Sequence, residues 1–207
     1  MPDLGKILLD RMTHLANIPH ILKHGITHAN STYANPNYTP IGDGSMIAKR
    51  NQTMLKNGRM LSEYIPFYFA TRTPMLYVIQ NGFNFVNPIA AEKIVCCVSS
   101  VQKIVDLQLE FSFTNGHAAD SLTSHFTHNE VNNIENLLDW EAINAKYWKD
   151  EDDLDKKRRK EAEFLVLGDL PTSTILGYAV VNQSSKDRIC EFGTNASLVG
   201  IRPQFYF

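Results

Sequence analysis

Apolar positions along the chain switch between a spacing of two and a spacing of three to four, and the switches mark its elements. Residues 7–12 predict a short strand. Thr13 then stands as an N-cap for a helix over 15–24. Leu15, Ile18 and Leu22 share a face of that helix, Pro19 lies near its first turn, and Gly25 ends it. From 26 to about 46, Asn, Pro, Gly, Ser and Thr dominate. That is loop composition, and loops of this length are usually functional or mobile. The aromatic run Tyr64-Ile65-Pro66-Phe67-Tyr68-Phe69 predicts a strand, with Pro66 favouring a sheet edge or a strand start. Pro74 opens a helix over 75–80, closed by Asn81-Gly82.

Further along, 93–98 is a β-branched strand, 101–107 a short helix and 110–113 a strand. Thr114-Asn115-Gly116 is a turn, followed by helices over 117–126 and 134–148. Strands at 163–167 and 175–181, a helix over 183–192 ending at Gly193, and strands at 198–201 and 204–207 complete the chain. Strands and helices interleave irregularly, without the alternation of a parallel nucleotide-binding sheet. The pattern therefore predicts an α+β fold with a mostly antiparallel sheet. The length, 207 residues, predicts a single domain over 1–207.

Composition adds constraints. Hydrophobic residues make up 43% and charged ones 20%, enough to build a sizeable core without staples. The net charge of −2 removes a global field for nucleic acid, so any such contact needs a local basic patch. Cys96 and Cys97 are adjacent in an apolar run and point to opposite faces of a strand, and Cys190 leaves the count odd. Reduced thiols fit a cytoplasmic protein. The opening Met1-Pro2-Asp3-Leu4-Gly5-Lys6 lacks a signal-peptide pattern, and no stretch is apolar enough for a membrane span.

Several chemistries lack their motifs. No glycine fingerprint follows a strand, no P-loop occurs, and Gly42-Asp43-Gly44 is only a fragment of a glycine loop. There is no nucleophile elbow and no zinc-ligand spacing. His20, His24 and His28 would share a face on a continuous helix, but Gly25 interrupts it, so no metal is expected.

Three constellations could carry chemistry. In residues 65–77, aromatic rings beside Arg72 could stack a flat ligand, or could simply be a core strand and a capped helix. Lys156-Lys157-Arg158-Arg159-Lys160 is the strongest basic run and follows Asp150-Glu151-Asp152-Asp153. That order suits a solvated, dipole-matched helix and equally a phosphate-contacting face. Glu163 opens an apolar strand, where a carboxylate needs a partner or a task; an arginine salt bridge is the plain alternative. His117 follows a tight turn, placed for a ligand or for a structural bond.

Taken together these segments resemble the DarT family of DNA ADP-ribosyltransferase toxins. The blocks that carry the resemblance are 12–25, Lys49-Arg50, 64–77, Phe113-Thr114-Asn115-Gly116-His117-Ala118, Asp139-Trp140 and 158–166. The resemblance implies an ADP-ribosyltransferase fold, a split and mostly antiparallel β core around an NAD cleft. It implies an enzyme that cleaves NAD and transfers ADP-ribose to thymine or guanine of single-stranded DNA. Glu163 would be the catalytic glutamate and Arg50 the NAD-positioning arginine. His14, Asn17, Tyr68, Arg72 and Met75 would join Arg50 in binding NAD, and His117, Lys157, Arg158 and Arg159 would hold DNA. It implies as partner a macrodomain-type ADP-ribosyl-hydrolase antitoxin. An NAD glycohydrolase, a protein ADP-ribosyltransferase and a non-catalytic nucleic-acid-binding module are the alternatives.

Overall fold

The computed structural model describes residues 2–55 and 57–207; Met1, the first residue of the N-terminal hexapeptide, lies outside them. Strand β1 (Leu8–His14) runs past the expected stop at Met12 and takes in Thr13. The cap therefore falls on His14, whose Nδ1 accepts from the Ala16 amide at 3.1 Å. One 3-10 turn (Leu15–Asn17) precedes helix α1 (Ile18–His24). Gly25 ends α1 at φ 78°, ψ −164°, a backbone region essentially reserved for glycine. The next residue, Ile26, bridges to Leu170.

The polar stretch expected as loop through about residue 46 gives way earlier, at α2 (Gly44–Gln52), where Asp43 Oδ1 accepts from the Ser45 amide at 2.8 Å. Helix α2 buries no residue, so hydrophobic spacing gave no signal for it. Strand β2 (Tyr64–Tyr68) and helix α3 (Pro74–Asn81) follow, the helix capped by Thr73 and ended by Gly82 in the left-handed region. Next come β3 (Ile94–Ser100), α4 (Val101–Asp106) and β4 (Phe111–Thr114).

The expected helix over 117–126 does not form. A turn-rich segment leads instead into β5 (His125–Thr127). Short polar side chains compete with the helical ladder there. Thr123 Oγ1 donates to the His117 carbonyl, Asn115 Oδ1 accepts from the Ser124 amide, and Asp120 Oδ1 accepts from the Leu122 amide. The expected helix over 134–148 breaks into α5 (Ile134–Leu137) and α6 (Trp140–Asn144), because Asp139 caps the second piece by accepting from Ala142 N at 2.9 Å.

Helix α7 (Lys156–Lys160) carries the basic run and leads into β6 (Glu163–Leu167). Strand β7 (Gly177–Val180), helix α8 (Gln183–Glu191) and strand β8 (Val199–Ile201) follow. The last segment, expected as a strand, forms a 3-10 turn, Pro203–Phe205. It is fixed by the Tyr206 hydroxyl, 3.0 Å from the carbonyls of Ile94 and Ala179.

The eight strands form one sheet in the order β5-β4-β6-β2-β1-β3-β7-β8, antiparallel except for β7 and β8. The sheet is split in its middle. Strand β1 pairs with β3 along its whole length, but with β2 only at Asp10 opposite Tyr68. Pro66, which has no N–H to give, lies in β2 at this seam, and its carbonyl accepts from Arg11 Nη1 at 2.9 Å. Leu9, Phe67, Phe113 and Phe164 fill the core on one face, with Phe164 stacked on Phe111. Full burial of such a side chain contributes about 1.5–3 kcal/mol. Cys96 and Cys97 are buried, free thiols, and burial pushes Cys97 up to about 12.

Candidate active site

Strand alternation decides which way Glu163 points. Phe164 enters the core, so Glu163 projects from the opposite face beside Tyr68, its register partner on β2. Its carboxylate is 1% exposed. Arg50 Nη1 donates to Oε2 at 2.7 Å, and the Ala118 amide donates to Oε1 at 2.8 Å. The Glu163 amide donates to Thr114 Oγ1 at 3.0 Å. Two donors hold the carboxylate, and lone pairs remain for a ligand hydroxyl.

Arg50 reaches this position from the last turn of α2. Its side chain is 16% exposed. Nη2 is buried and has no partner among the described residues. One arm of the guanidinium therefore fixes the carboxylate while the other is left to donate to a ligand oxygen.

A cleft of about 440 Å3 opens beside Arg50; Glu163 itself is not in the lining and meets the cleft through Arg50 and its register partner Tyr68. Arg50, Tyr68, Met75, Asn17 and His117 line it. Arg11 does too, and sequence reasoning missed it; a cation inside the otherwise strand-forming segment 7–12 was its only signal. Burial, then the Glu163 and Glu161 carboxylates, push the Tyr68 phenol up, so it stays protonated. Burial lowers the His117 imidazole, against the pull of Glu163. Its Nδ1 accepts from the Ala119 amide at 3.2 Å, which leaves Nε2 as the donor. Glu161 is 7% exposed, and burial pushes its carboxyl up to about 7.

Other expected residues stand elsewhere or do other work. Asn17 does line the cleft, but its carboxamide clamps the loop above it, bonding both backbone groups of Thr39 at 2.8 and 2.9 Å. His14 is the cap described above and is not in the lining. Arg72 also stands outside the cleft, with its guanidinium 4.3 Å over the Phe207 ring. Two of the three cations expected for DNA are committed to acidic partners. Arg158 forms two 2.7 Å bonds with Asp155, and Arg159 pairs with Asp139, Asp153 and Asp155. Lys157 is exposed and has no ion-pair partner among the described residues. The acidic run at 150–155 thus folds back on the basic one. Among the described residues no cluster of three or more His, Cys, Asp or Glu is placed to hold a metal, and no helix is long and apolar enough to cross a membrane.

A split antiparallel sheet carrying an arginine-held glutamate at the end of a central strand defines the class as the ADP-ribosyltransferases. Comparison with known proteins narrows it. The family model described as "ssDNA thymidine ADP-ribosyltransferase, DarT" matches residues 11–207. The DNA ADP-ribosyl transferase of Thermus sp. (strain 2.9) is 36% identical over 178 residues, covering 83% of this chain and 80% of that protein. That of Escherichia coli O127:H6 is 33% identical over 175 residues, covering 83% and 79%. Among solved structures, Thermus sp. 2.9 DarT in complex with ADP-ribosylated ssDNA superposes with a TM-score of 0.85 at 30% identity, covering 100% of this chain and 98% of that one. The chain belongs to the DarT family of NAD-dependent DNA ADP-ribosyltransferases.

Proposed function

We propose that the cleft binds NAD, that Glu163 and Arg50 drive cleavage of its nicotinamide–ribose bond, and that ADP-ribose passes to thymine in single-stranded DNA. The carrying observation is the buried Glu163 carboxylate, held by Arg50 and the Ala118 amide at the cleft. Breaking the glycosidic bond places positive charge on the ribose, as in glycoside cleavage. A fixed, desolvated carboxylate stabilises that charge. Nicotinamide leaves with the bonding pair, the base nitrogen bonds to ribose C1′, and its proton passes to Glu163 and on to solvent. The free Nη2 of Arg50 suits a pyrophosphate or ribose oxygen. Tyr68 and Met75 wall the nicotinamide, Asn17 holds the loop over the cofactor, and His117 at the cleft and the exposed Lys157 outside it meet the DNA. A stacked duplex hides the target nitrogen, so the strand is single.

Thymine, rather than guanine, rests on the family description. A hydrolase antitoxin is the proposed partner; a Thermosipho africanus relative is a fusion of a DNA ADP-ribosyl transferase with a DNA ADP-ribosyl glycohydrolase. The single sheet supports residues 1–207 acting as one domain, in the cytoplasm, where NAD and DNA occur together.

Glu163→Gln tests the reading, because it keeps the shape and removes the charge. Nicotinamide release and transfer are expected to fall at least about 100-fold, as for loss of an electrostatic stabiliser, in a variant that keeps the parental circular dichroism spectrum despite some loss of stability. Near-parental transfer by a folded variant overturns the role of Glu163. Mass spectrometry of oligonucleotides of each base composition after incubation with NAD identifies the base. Label entering protein, or ADP-ribose released free, would favour the two alternative activities.

A further inference from the structure

A second cavity, of about 890 Å3, shares no lining residue with the cleft but is lined by the chain and register neighbours of residues that line it. Phe69, the residue after Tyr68, lines it, as does Lys160, three residues before Glu163. Asp10, the register partner of Tyr68 across the seam, lines it too. The cavity is thus a neighbour of the reacting centre along both strands.

Its chemistry is unbalanced. Asp10 is 6% exposed, yet its carboxyl makes no hydrogen bond or ion pair among the described residues. Burial alone pushes that carboxyl up to about 7. A buried carboxyl facing a cavity without a donor is costly unless something fills the gap. Arg72 Nε is likewise buried and unpartnered, although its guanidinium is stacked on Phe207. Lys160 is 2% exposed and directs two of its protons to the carbonyls of Ile143 and Ala145, at 2.9 and 2.7 Å, leaving a third. Trp140 stands half-buried in the wall with its indole N–H already donated to the Glu135 carbonyl, so its contribution to a ligand is a flat face. A complementary ligand needs hydrogen-bond donors for the carboxyl, an anion for the cations and a plane for the indole. A nucleotide supplies all three.

Resting on the transferase reading above, we propose that this cavity is a subsite for a nucleotide flanking the modified base in the DNA strand, with Asp10 selecting a base that bears an exocyclic amino group. Cytosine, adenine and guanine offer such a donor to an aspartate. Thymine offers a carboxylate only its single N–H, set between two carbonyl oxygens that the charged form repels, and is disfavoured where Asp10 is ionised. Arg72 holds the adjoining phosphate. Reading an unstacked base by its pairing edge and by stacking is the ordinary way to recognise a single strand.

The test scans each position flanking one target thymine with the four bases and with an abasic site, and compares kcat/KM as ratios within each protein, so that overall rate cancels. In the parent, at one flanking position, the abasic site is expected to lose at least about tenfold, and amino-bearing bases to exceed thymine by about tenfold (one or two hydrogen bonds). Asp10→Asn, which offers an NH2 group as donor beside one carbonyl acceptor, is expected to bring the base ratios within about threefold. Arg72→Gln is expected to preserve the ratios, weaken all oligonucleotides together and reduce the salt-dependence slope by about one. A profile for Asp10→Asn that superimposes on the parent's overturns the subsite, as does an unchanged salt slope for Arg72→Gln. A free mononucleotide that binds the cavity while the parental profile is flat places the site off the DNA path and overturns it equally. Modification of no oligonucleotide at all overturns the transferase reading, and the subsite with it.

Discussion

Arg50 divides its two terminal nitrogens between the protein and the cleft, with Nη1 on Glu163 and Nη2 unpartnered. A lysine in its place carries one compact charge and cannot serve both directions. Arg50→Lys is therefore expected to bind NAD and to lose about 10- to 100-fold in transfer, measured as nicotinamide release at saturating NAD. Glu163 and Arg50 were legible as residues because the resemblance supplied them. Their contact was legible only as a possibility, since a carboxylate at the opening of an apolar strand needs a partner and 113 residues separate the two. Arg158 and Arg159 show the limit. A basic run reads the same whether it faces phosphate or its own acidic neighbours, and here the fold brings Asp139, Asp153 and Asp155 onto it.

Among elements, the misreadings share one cause. Amphipathic spacing found most of the elements that pack on the core, but read β5 as helix and gave no element for the turn that buries Val131. It missed α2, which buries nothing and is carried by its Asp43 cap. It overran at 117–126 and 134–148, where Thr, Asn and Asp side chains bind the backbone and end the helical ladder. These irregular segments flank Glu163 and supply Ala118 and His117, so the chemistry is placed by turns rather than by regular structure. Gly116 is packed against α7, where an added Cβ would lie 3.0 Å from the Arg158 carbonyl. At Gly25 an added Cβ would run into the Leu170 carbonyl, and its backbone angles exclude other residues. Gly25→Ala is expected to cost at least about 1–3 kcal/mol in urea unfolding, by undoing the bridge from α1 to the β6–β7 connection. In the loop closed by the basic run, Arg159→Gln releases three carboxylates. Faster proteolytic cleavage between residues 139 and 158 is the expected result, with global unfolding little changed.

At the scale of the whole molecule, two buried carboxyls set an unusual response to pH. Asp10 and Glu161 are each raised to about 7 in the folded protein, against ordinary values of 3.8 and 4.5. The folded state then binds more protons than the unfolded one between those limits. Their contribution to stability is fully present below about pH 4 and is lost as pH rises through 7. Removing both charges by Asp10→Asn with Glu161→Gln is expected to raise the urea midpoint at pH 8 more than at pH 5. An equal gain at both pH values would contradict the burial argument. Histidines 14, 20 and 117, all lowered by burial, act in the opposite sense below their ordinary range, which is why the comparison is made between variants and not from the parental curve alone. The α+β class and the mostly antiparallel sheet were readable from spacing. The parallel β7–β8 edge and the strand order were not, because partner choice lies in no local pattern.

The seam between β1 and β2 makes the protein its own sensor. Where strands are zipped on both sides, amide protons wait for large openings before they exchange with solvent. Along β1 and β2 the single rung leaves amides whose protection depends on whatever occupies the gap. Deuterium uptake in peptides spanning residues 8–14 and 64–68 is expected to slow when NAD is added, while peptides from β3 and β6 hardly change. Cofactor occupancy could then be followed in a protein that is not turning over, with no label and no substrate strand.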